Sequence, residues 1–401
     1  MNKPLIVYLD SSDYSVFSDD SKRTPEIISI ENHILQLRDE NKIEIRFSHI
    51  NVVEAAPTKL EDKLSSLKRL QTIKKFCGHK CLASYVSVLE NEIESLNKQK
   101  TIPTQINIFN ENGVWFSDFA DIKEFSYIAE YIKDEVSKIP DRKKRRIAER
   151  KFFNANSSVK NTSAFLKGTA DSLAEAIYSK YPISEIDAKL AAKSYFHNGS
   201  TAKFFQSFSK SLSNLEILSN WYASSWDDAT QLSSFLREVG GDLMISLEQL
   251  KDKTIELTNN YKLEGLSDVQ IKNKMNESFD GLLNSLPKSL LKRLNENHTL
   301  ISNQKVNWNL CPSLLTITTL SVHLAKLNSL TKRKPKTSDF GDILHSAYLP
   351  YVDIFRADVN TASIIEQAKL PFKTKVVSKI TDLPSDIENL LKLKSNNCRN
   401  D

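Results

Sequence analysis

Four acidic residues carry most of the chemistry this sequence offers: Asp10, Glu54, Asp342 and Asp358. Asp10 follows the apolar run Leu5 to Leu9, and Asp358 lies just past the strand that closes the stretch Asp339 to Asp358. An acid at the C-terminal tip of a strand is well placed for chemistry, because open α/β sheets bind ligands there. Glu54 falls in the second turn of a helix capped by Ser48, and Asp342 in the first turn of a helix with Asp339 as its N-cap. If the strands are neighbours, the four carboxylates meet at one rim. Crowded carboxylates repel and hold protons tightly unless a cation sits among them. An all-oxygen set suits Mg²⁺ or Mn²⁺. Such an ion activates water and stabilises the charge that builds on a phosphoryl oxygen. Metal-dependent phosphodiester hydrolysis is therefore expected, with these four acids as catalytic and metal-binding groups.

Other residues extend the set. Asp353 lies within an apolar strand, where an unpaired carboxylate is costly. It either bonds to neighbouring backbone N–H groups or is a fifth acid near the metal. Ser11 and Asp13 are candidates for outer contacts to metal or substrate, and Arg356 for a substrate contact. His345, one turn after Asp342, is either a phosphate contact or a packed structural histidine. The basic run Arg142 to Arg150, including Arg145 and Arg146, has the density to track phosphates; a solvated helix surface is the plainer reading. Lys332 to Lys336, including Lys334, is either a substrate-backbone contact or a charged linker.

The elements that position these residues come from the two ends of the chain. Leu5 to Leu9 is apolar without alternation, as in a parallel strand buried on both faces. A helix is expected over Ser21 to Arg38, with Pro25 in its first turn. Lys42 to Phe47 alternates with period two and reads as a strand near the sheet's edge. Residues 60–336 carry helical spacing almost throughout, with a less regular stretch at 101–118 that reads as an ordered loop or hairpin. After them come the helix and strand of 338–358, a helix from Ala362, a short strand from Thr374 to Ser378 and a helix from Leu383. Neither end has enough strands for a sheet of its own. The expected architecture is one α/β domain with a parallel sheet, made of residues 1–59 and 337–401 and interrupted by a helical insertion at 60–336.

The pieces at the two ends resemble the PIN-domain nucleases. Leu5 to Asp10 is similar to that family's first strand and acid. Phe47-Ser48-His49-Ile50-Asn51-Val52-Val53-Glu54 is similar to its second strand, Ser/Thr and Glu-bearing helix. Asp342-Ile343-Leu344-His345-Ser346-Ala347 resembles its acidic helix, and Asp353 to Asp358 the strand that delivers its last acid. Arg356 stands where many members carry Ser or Thr. The resemblance implies a PIN-like three-layer α/β/α sandwich, a divalent metal and nucleic acid as substrate, with RNA ahead of DNA. It also implies a setting as a toxin or anti-phage defence effector. The helical insertion lies outside the family pattern.

Composition narrows the alternatives. The 401 residues are 40% hydrophobic and 26% charged, with a net charge of +5, enough for a core and compatible with nucleic-acid binding where the charge is clustered. Nine glycines, and no GxxxxGK[ST] or GxGxxG, argue against a glycine-looped nucleotide enzyme. Four cysteines make no disulfide framework, and no apolar run is long enough to span a membrane; a cytoplasmic protein is expected. A haloacid-dehalogenase-type phosphatase needs a second Asp two residues after the first, where this chain has Ser12. A flap-type DNA nuclease remains an alternative, as does a non-catalytic binding module built on the helical body. A homo-oligomer or a regulatory protein partner fits the large extra body.

Overall fold

The computed structural model describes residues 3–57, 59–97, 108–116, 136–152, 166–198, 201–224, 252–294, 306–330 and 338–397. They fall into two compact units: Met1–Phe116 together with Ser233–Asp401, and Ser117–Leu232. The division therefore lies inside the stretch 60–336, and the helices at both ends of that stretch belong with the sheet.

The first unit is built on a four-stranded parallel sheet of β1 (Leu5–Tyr8), β2 (Ile43–Arg46), β5 (Ile354–Arg356) and β6 (Lys375–Val377), in the order β2-β1-β5-β6. Strands from the two ends of the chain thus share a sheet: Val7 is paired with Ile354 and Tyr8 with Phe355. β1 is buried along its whole length, as its unalternating apolar sequence predicts. Ile6 and Tyr8 join Leu344, Tyr348 and Phe355 in one core, and the rings of Tyr8 and Phe355 stack at 5.3 Å. Beyond β2, Phe47 bridges to a small antiparallel pair, β3 (Cys81–Leu82) with β4 (Phe109–Asn110). Of the stretch 101–118, expected as an ordered loop or hairpin, β4 is a short strand whose partner β3 lies outside it, on the far side of residues 85–97.

Helices cover the sheet. α1 (Ser11–Ser18) follows β1 directly, α2 (Pro25–Asp39) precedes β2, and α3 (His49–Ala55) follows it. α2 begins four residues later than expected, with Pro25 at its first position and Thr24 Oγ1 accepting from Ile27 N–H. α1 is missing from the sequence expectation, because eight residues give too few turns for a periodic signal. α4 (Lys63–Cys77) packs on α1 and β2, and α5 (Tyr85–Asn97) sits farther along the chain. In the second unit lie α6 (Arg142–Phe152), α7 (Leu166–Lys180), α8 (Glu185–Asn198), α9 (Ala202–Leu212) and α10 (Leu215–Ser224). The chain then returns to the first unit with α11 (Asp268–Leu294) and α12 (Pro312–Leu330). After these come α13 (Ser338–His345), α14 (Val359–Ala368) and α15 (Leu383–Asn397). Met275 and Phe279 of α11 and Leu320 and Leu324 of α12 join the Tyr8 core. Among the described residues, no helix is long and apolar enough to cross a membrane.

The strand order fixes where a ligand would go. From β1 the chain moves outward to β2 on one side, and the later strands β5 and β6 lie on the other. The order therefore reverses between β1 and β5, and the C-terminal ends of these two strands open the crevice where such sheets bind ligands. Asp10 and Asp358 follow those two ends.

Candidate active site at the sheet rim

The acids at the rim are held by short-range backbone geometry. Asp10 is the N-cap residue of α1, and its N–H donates to Asp13 Oδ2 at 3.2 Å. Ser12 Oγ–H donates to Asp10 Oδ2. Asp358 caps α14, with Oδ1 accepting from Thr361 N–H at 2.6 Å. Both acids therefore stand at helix N-termini, whose dipoles favour negative charge. Glu54 lies near the end of α3, whose start is fixed by Ser48: Ser48 Oγ accepts from Ile50 N–H at 3.2 Å. α13 starts at Ser338, so Asp342 sits in the second turn rather than the first, and Asp339 lies inside the helix rather than at its N-cap. A small pocket opens beside Asp342, between Leu324, Ile343, Asn360 and Thr361.

The electrostatics of Asp342 report the convergence. Its carboxyl is pushed up to about 7, by burial first and then by the charges of Asp358, Asp10 and Glu54, with His345 pulling the other way. The other three expected acids thus all act on Asp342. Gly341 tightens the set. A Cβ at this position would overlap Glu54 Oε1, so the glycine leaves room for that carboxylate beside α13. Among the described residues, no group of three or more His, Cys, Asp or Glu side chains is placed to hold a metal ion as it stands.

Behind the acids lies a web of polar groups. Tyr8 Oη is 2.6 Å from Ser48 Oγ and 2.5 Å from His345 Nδ1. His345 Nε2 is 3.2 Å from Glu54 Oε2 and 3.3 Å from Ser11 Oγ. Asn51 Nδ2–H donates to Leu9 O and to Ser11 Oγ, and Asn51 Oδ1 accepts from Ser48 N–H at 2.9 Å. Burial alone would lower the His345 pKa, but Glu54, Asp10 and Asp342 outweigh it and raise it above the usual value. In the charged form every donor has an acceptor: Nε2–H faces Glu54, Nδ1–H faces Tyr8, and Tyr8 O–H is free to donate to Ser48 Oγ. Burial pushes the Tyr8 phenol well above its ordinary range, so it stays protonated.

Several expected site residues have other tasks. Asp353 lies at the opposite end of β5 from Asp358; its Oδ2 accepts from Ile6 N–H at 2.8 Å and its Oδ1 is 3.5 Å from Lys394 Nζ. It is the backbone-bonded acid of the two readings, not a fifth member of the rim set. Arg356 is buried rather than offered to a substrate: its guanidinium is 3.1 Å from Asp13 Oδ1 and donates to Val377 O. Asp13, expected as an outer contact, is 1% exposed. Burial raises its carboxyl to about 7 against the pull of Arg356, and Asp10 adds to the rise. His345 is a packed histidine that holds Glu54, and Ser11 bridges it to Asn51. Lys334 lies outside the described residues. Arg145 and Arg146 lie on α6 in the second unit. Tyr8, Asn51 and Gly341 escape a reading of the sequence. Gly341 leaves the clearest signal, as one of nine glycines and the residue before Asp342.

No family model, curated protein or solved structure matches this chain.

Proposed function

We propose that the rim acids bind a divalent cation and that the protein hydrolyses phosphodiester bonds in nucleic acid, with RNA the preferred substrate. The single observation that carries this reading is the charge that Asp358, Asp10 and Glu54 bring to Asp342 at the strand-order reversal, which adds to burial in raising its carboxyl to about 7. The donors fit a hard cation: they are carboxylate oxygens, their excess negative charge is what such an ion relieves, and Gly341 keeps Glu54 close. When bound, Mg²⁺ or Mn²⁺ would supply an activated water and a counter-charge for the phosphoryl oxygens. The protein's own part is positional. His345 holds one Glu54 oxygen, Tyr8 and Ser11 hold His345, and Ser48 and Asn51 in turn hold Tyr8 and Ser11. Thr361 N–H fixes one oxygen of Asp358 and leaves the other unclaimed by this bond.

The resemblance of both chain ends to the PIN-domain nucleases supports the same chemistry, and the parallel sheet with acids after β1 and β5 agrees with it. RNA over DNA, and a role as a toxin or anti-phage effector, rest on that resemblance alone. The test is cleavage of labelled single-stranded RNA, duplex RNA and DNA with Mg²⁺, Mn²⁺ or EDTA, comparing wild type, Asp10→Asn and Asp342→Asn. Metal-dependent cutting of RNA that both substitutions abolish is the expected result. Cutting that survives in EDTA, or in both variants, contradicts the proposal.

A further inference from the structure

The net charge of this protein is concentrated in one helix. α6 reads Arg-Lys-Lys-Arg-Arg-Ile-Ala-Glu-Arg-Lys-Phe. Seven basic residues against the single Glu149 give it +6, while the whole chain carries +5, so the other 390 residues together sum to −1. Arg142, Lys143, Lys144 and Arg146 are exposed, and among the described residues no carboxylate pairs with them. Arg142, Arg146 and Arg150 follow one another at a spacing of four, about 6 Å apart along the axis. Like charges at this spacing destabilise a helix. Local capping offsets part of that: Asp141 Oδ1 accepts from Lys144 N–H at 2.8 Å, and Asp141 O from Arg145 N–H at 2.9 Å. Self-repulsion of this kind is relieved by a polyanion.

From this density we infer that α6 is a docking element for the phosphate backbone of single-stranded RNA, in a unit separate from the one that carries the acids. The identity of the polyanion rests on the nuclease reading; the basic surface does not. A membrane surface fits less well. An interfacial helix buries an apolar face of several large side chains, and the large apolar side chain exposed on α6 is Ile147 alone among its described residues. Contacts of this kind read charge and not sequence, so they set affinity and its salt dependence rather than the chemical step.

The test measures binding without cleavage. Labelled single-stranded RNA is titrated by fluorescence anisotropy with the full chain in EDTA, over a range of salt concentrations. Three proteins are compared: wild type, Arg142→Gln with Lys143→Gln, Lys144→Gln and Arg146→Gln, and a control with Lys262, Lys272, Lys288 and Lys373 each changed to Gln. All eight positions are exposed, and Gln is a comparable helix former, so folding is kept. Circular dichroism checks this. Expected is weaker binding by the α6 variant alone, with the slope of log Kd against log salt flattened by roughly 0.7 for each phosphate no longer neutralised. Equal weakening in the control, or an unchanged slope in the α6 variant, overturns the inference. So does loss of binding to phosphatidylserine vesicles with RNA binding intact. RNA bound through α6 without any metal-dependent cutting would sink the nuclease reading and leave this one standing; cutting with α6 binding unaltered would do the reverse.

Discussion

The two ends of β5 place the same residue type in opposite circumstances. At the N-terminal end, Asp353 receives a backbone N–H from Ile6 and lies beside Lys394. Past the C-terminal end, Asp358 is the charge that acts most on Asp342, with Asp10 and Glu54 adding to it and His345 opposing. Buried carboxylates elsewhere follow the pattern of the half-buried Asp353. Glu31, 2% exposed, lies between Arg23 at 2.7 Å and Lys75 at 2.6 Å. Glu92, fully buried, accepts from Ser313 N–H, Leu314 N–H and Tyr351 O–H and so caps α12. Burial still pushes the Glu92 carboxyl up, against those three donors. The structural acids are thus matched by cations or several donors, whereas at the rim Asp342 has three further carboxylates acting on it against the one opposing pull of His345. A buried carboxylate whose pKa is raised with like charges acting on it marks a functional site more specifically than acidity does.

The contrast between the two kinds of acid can be broken by substitution. The largest effect is expected for Asp342→Asn, which should lower metal-dependent cleavage by about a thousandfold or more, since it removes a charge from the set that holds the ion. In EDTA the same variant should melt above wild type, because it removes a repulsion; a lower melting temperature without metal would show that Asp342 is structural. Glu92→Ala should act in the opposite way. It leaves three buried donors without their acceptor and should cost about 3 kcal/mol in urea unfolding, with cleavage per folded molecule unchanged.

Gly341→Ala sharpens the boundary between the two classes. Alanine is the better helix former by roughly 1 kcal/mol, so stability should not fall. The new Cβ displaces the Glu54 carboxylate, so cleavage should drop by roughly tenfold to a hundredfold. Unchanged kinetics would remove Glu54 from the site.

Acidity gives a further prediction. With Asp342 near 7, binding a cation below that pH must displace a proton. Mn²⁺ affinity should rise by about tenfold per pH unit up to about pH 7 and then level off. Metal-free stability has the opposite slope. The folded chain holds this proton more tightly than the unfolded one, so stability is lost as the pH climbs from about 4 through about 7. The smallest effect is expected for Asp353→Asn, which should leave cleavage unchanged and cost under about 1 kcal/mol.

Much of this is legible in the sequence. Unalternating apolar runs mark β1 and β5, period two marks β2, and an acid after a strand marks Asp10 and Asp358. That the two ends share a sheet follows from neither end having enough strands. What the sequence hides is three-dimensional pairing. Asp353 and Asp358 lie in one short strand-like stretch, and only the strand's direction separates the bonded acid from the rim acid. Arg356 has its partner, Asp13, at the other end of the chain, on a helix too short to show periodicity. The web through Tyr8, Ser48, Asn51 and His345 joins residues up to 337 positions apart, and no local spacing encodes it.

The most direct test of the central claim is a Mn²⁺ titration, with free ion followed by electron paramagnetic resonance, of wild type, Asp342→Asn and Asp353→Asn at a pH just above the Asp342 value of about 7. The account predicts that wild type and Asp353→Asn bind Mn²⁺ alike and that Asp342→Asn loses the site. Equal binding by wild type and Asp342→Asn, or loss of binding in Asp353→Asn, would contradict it.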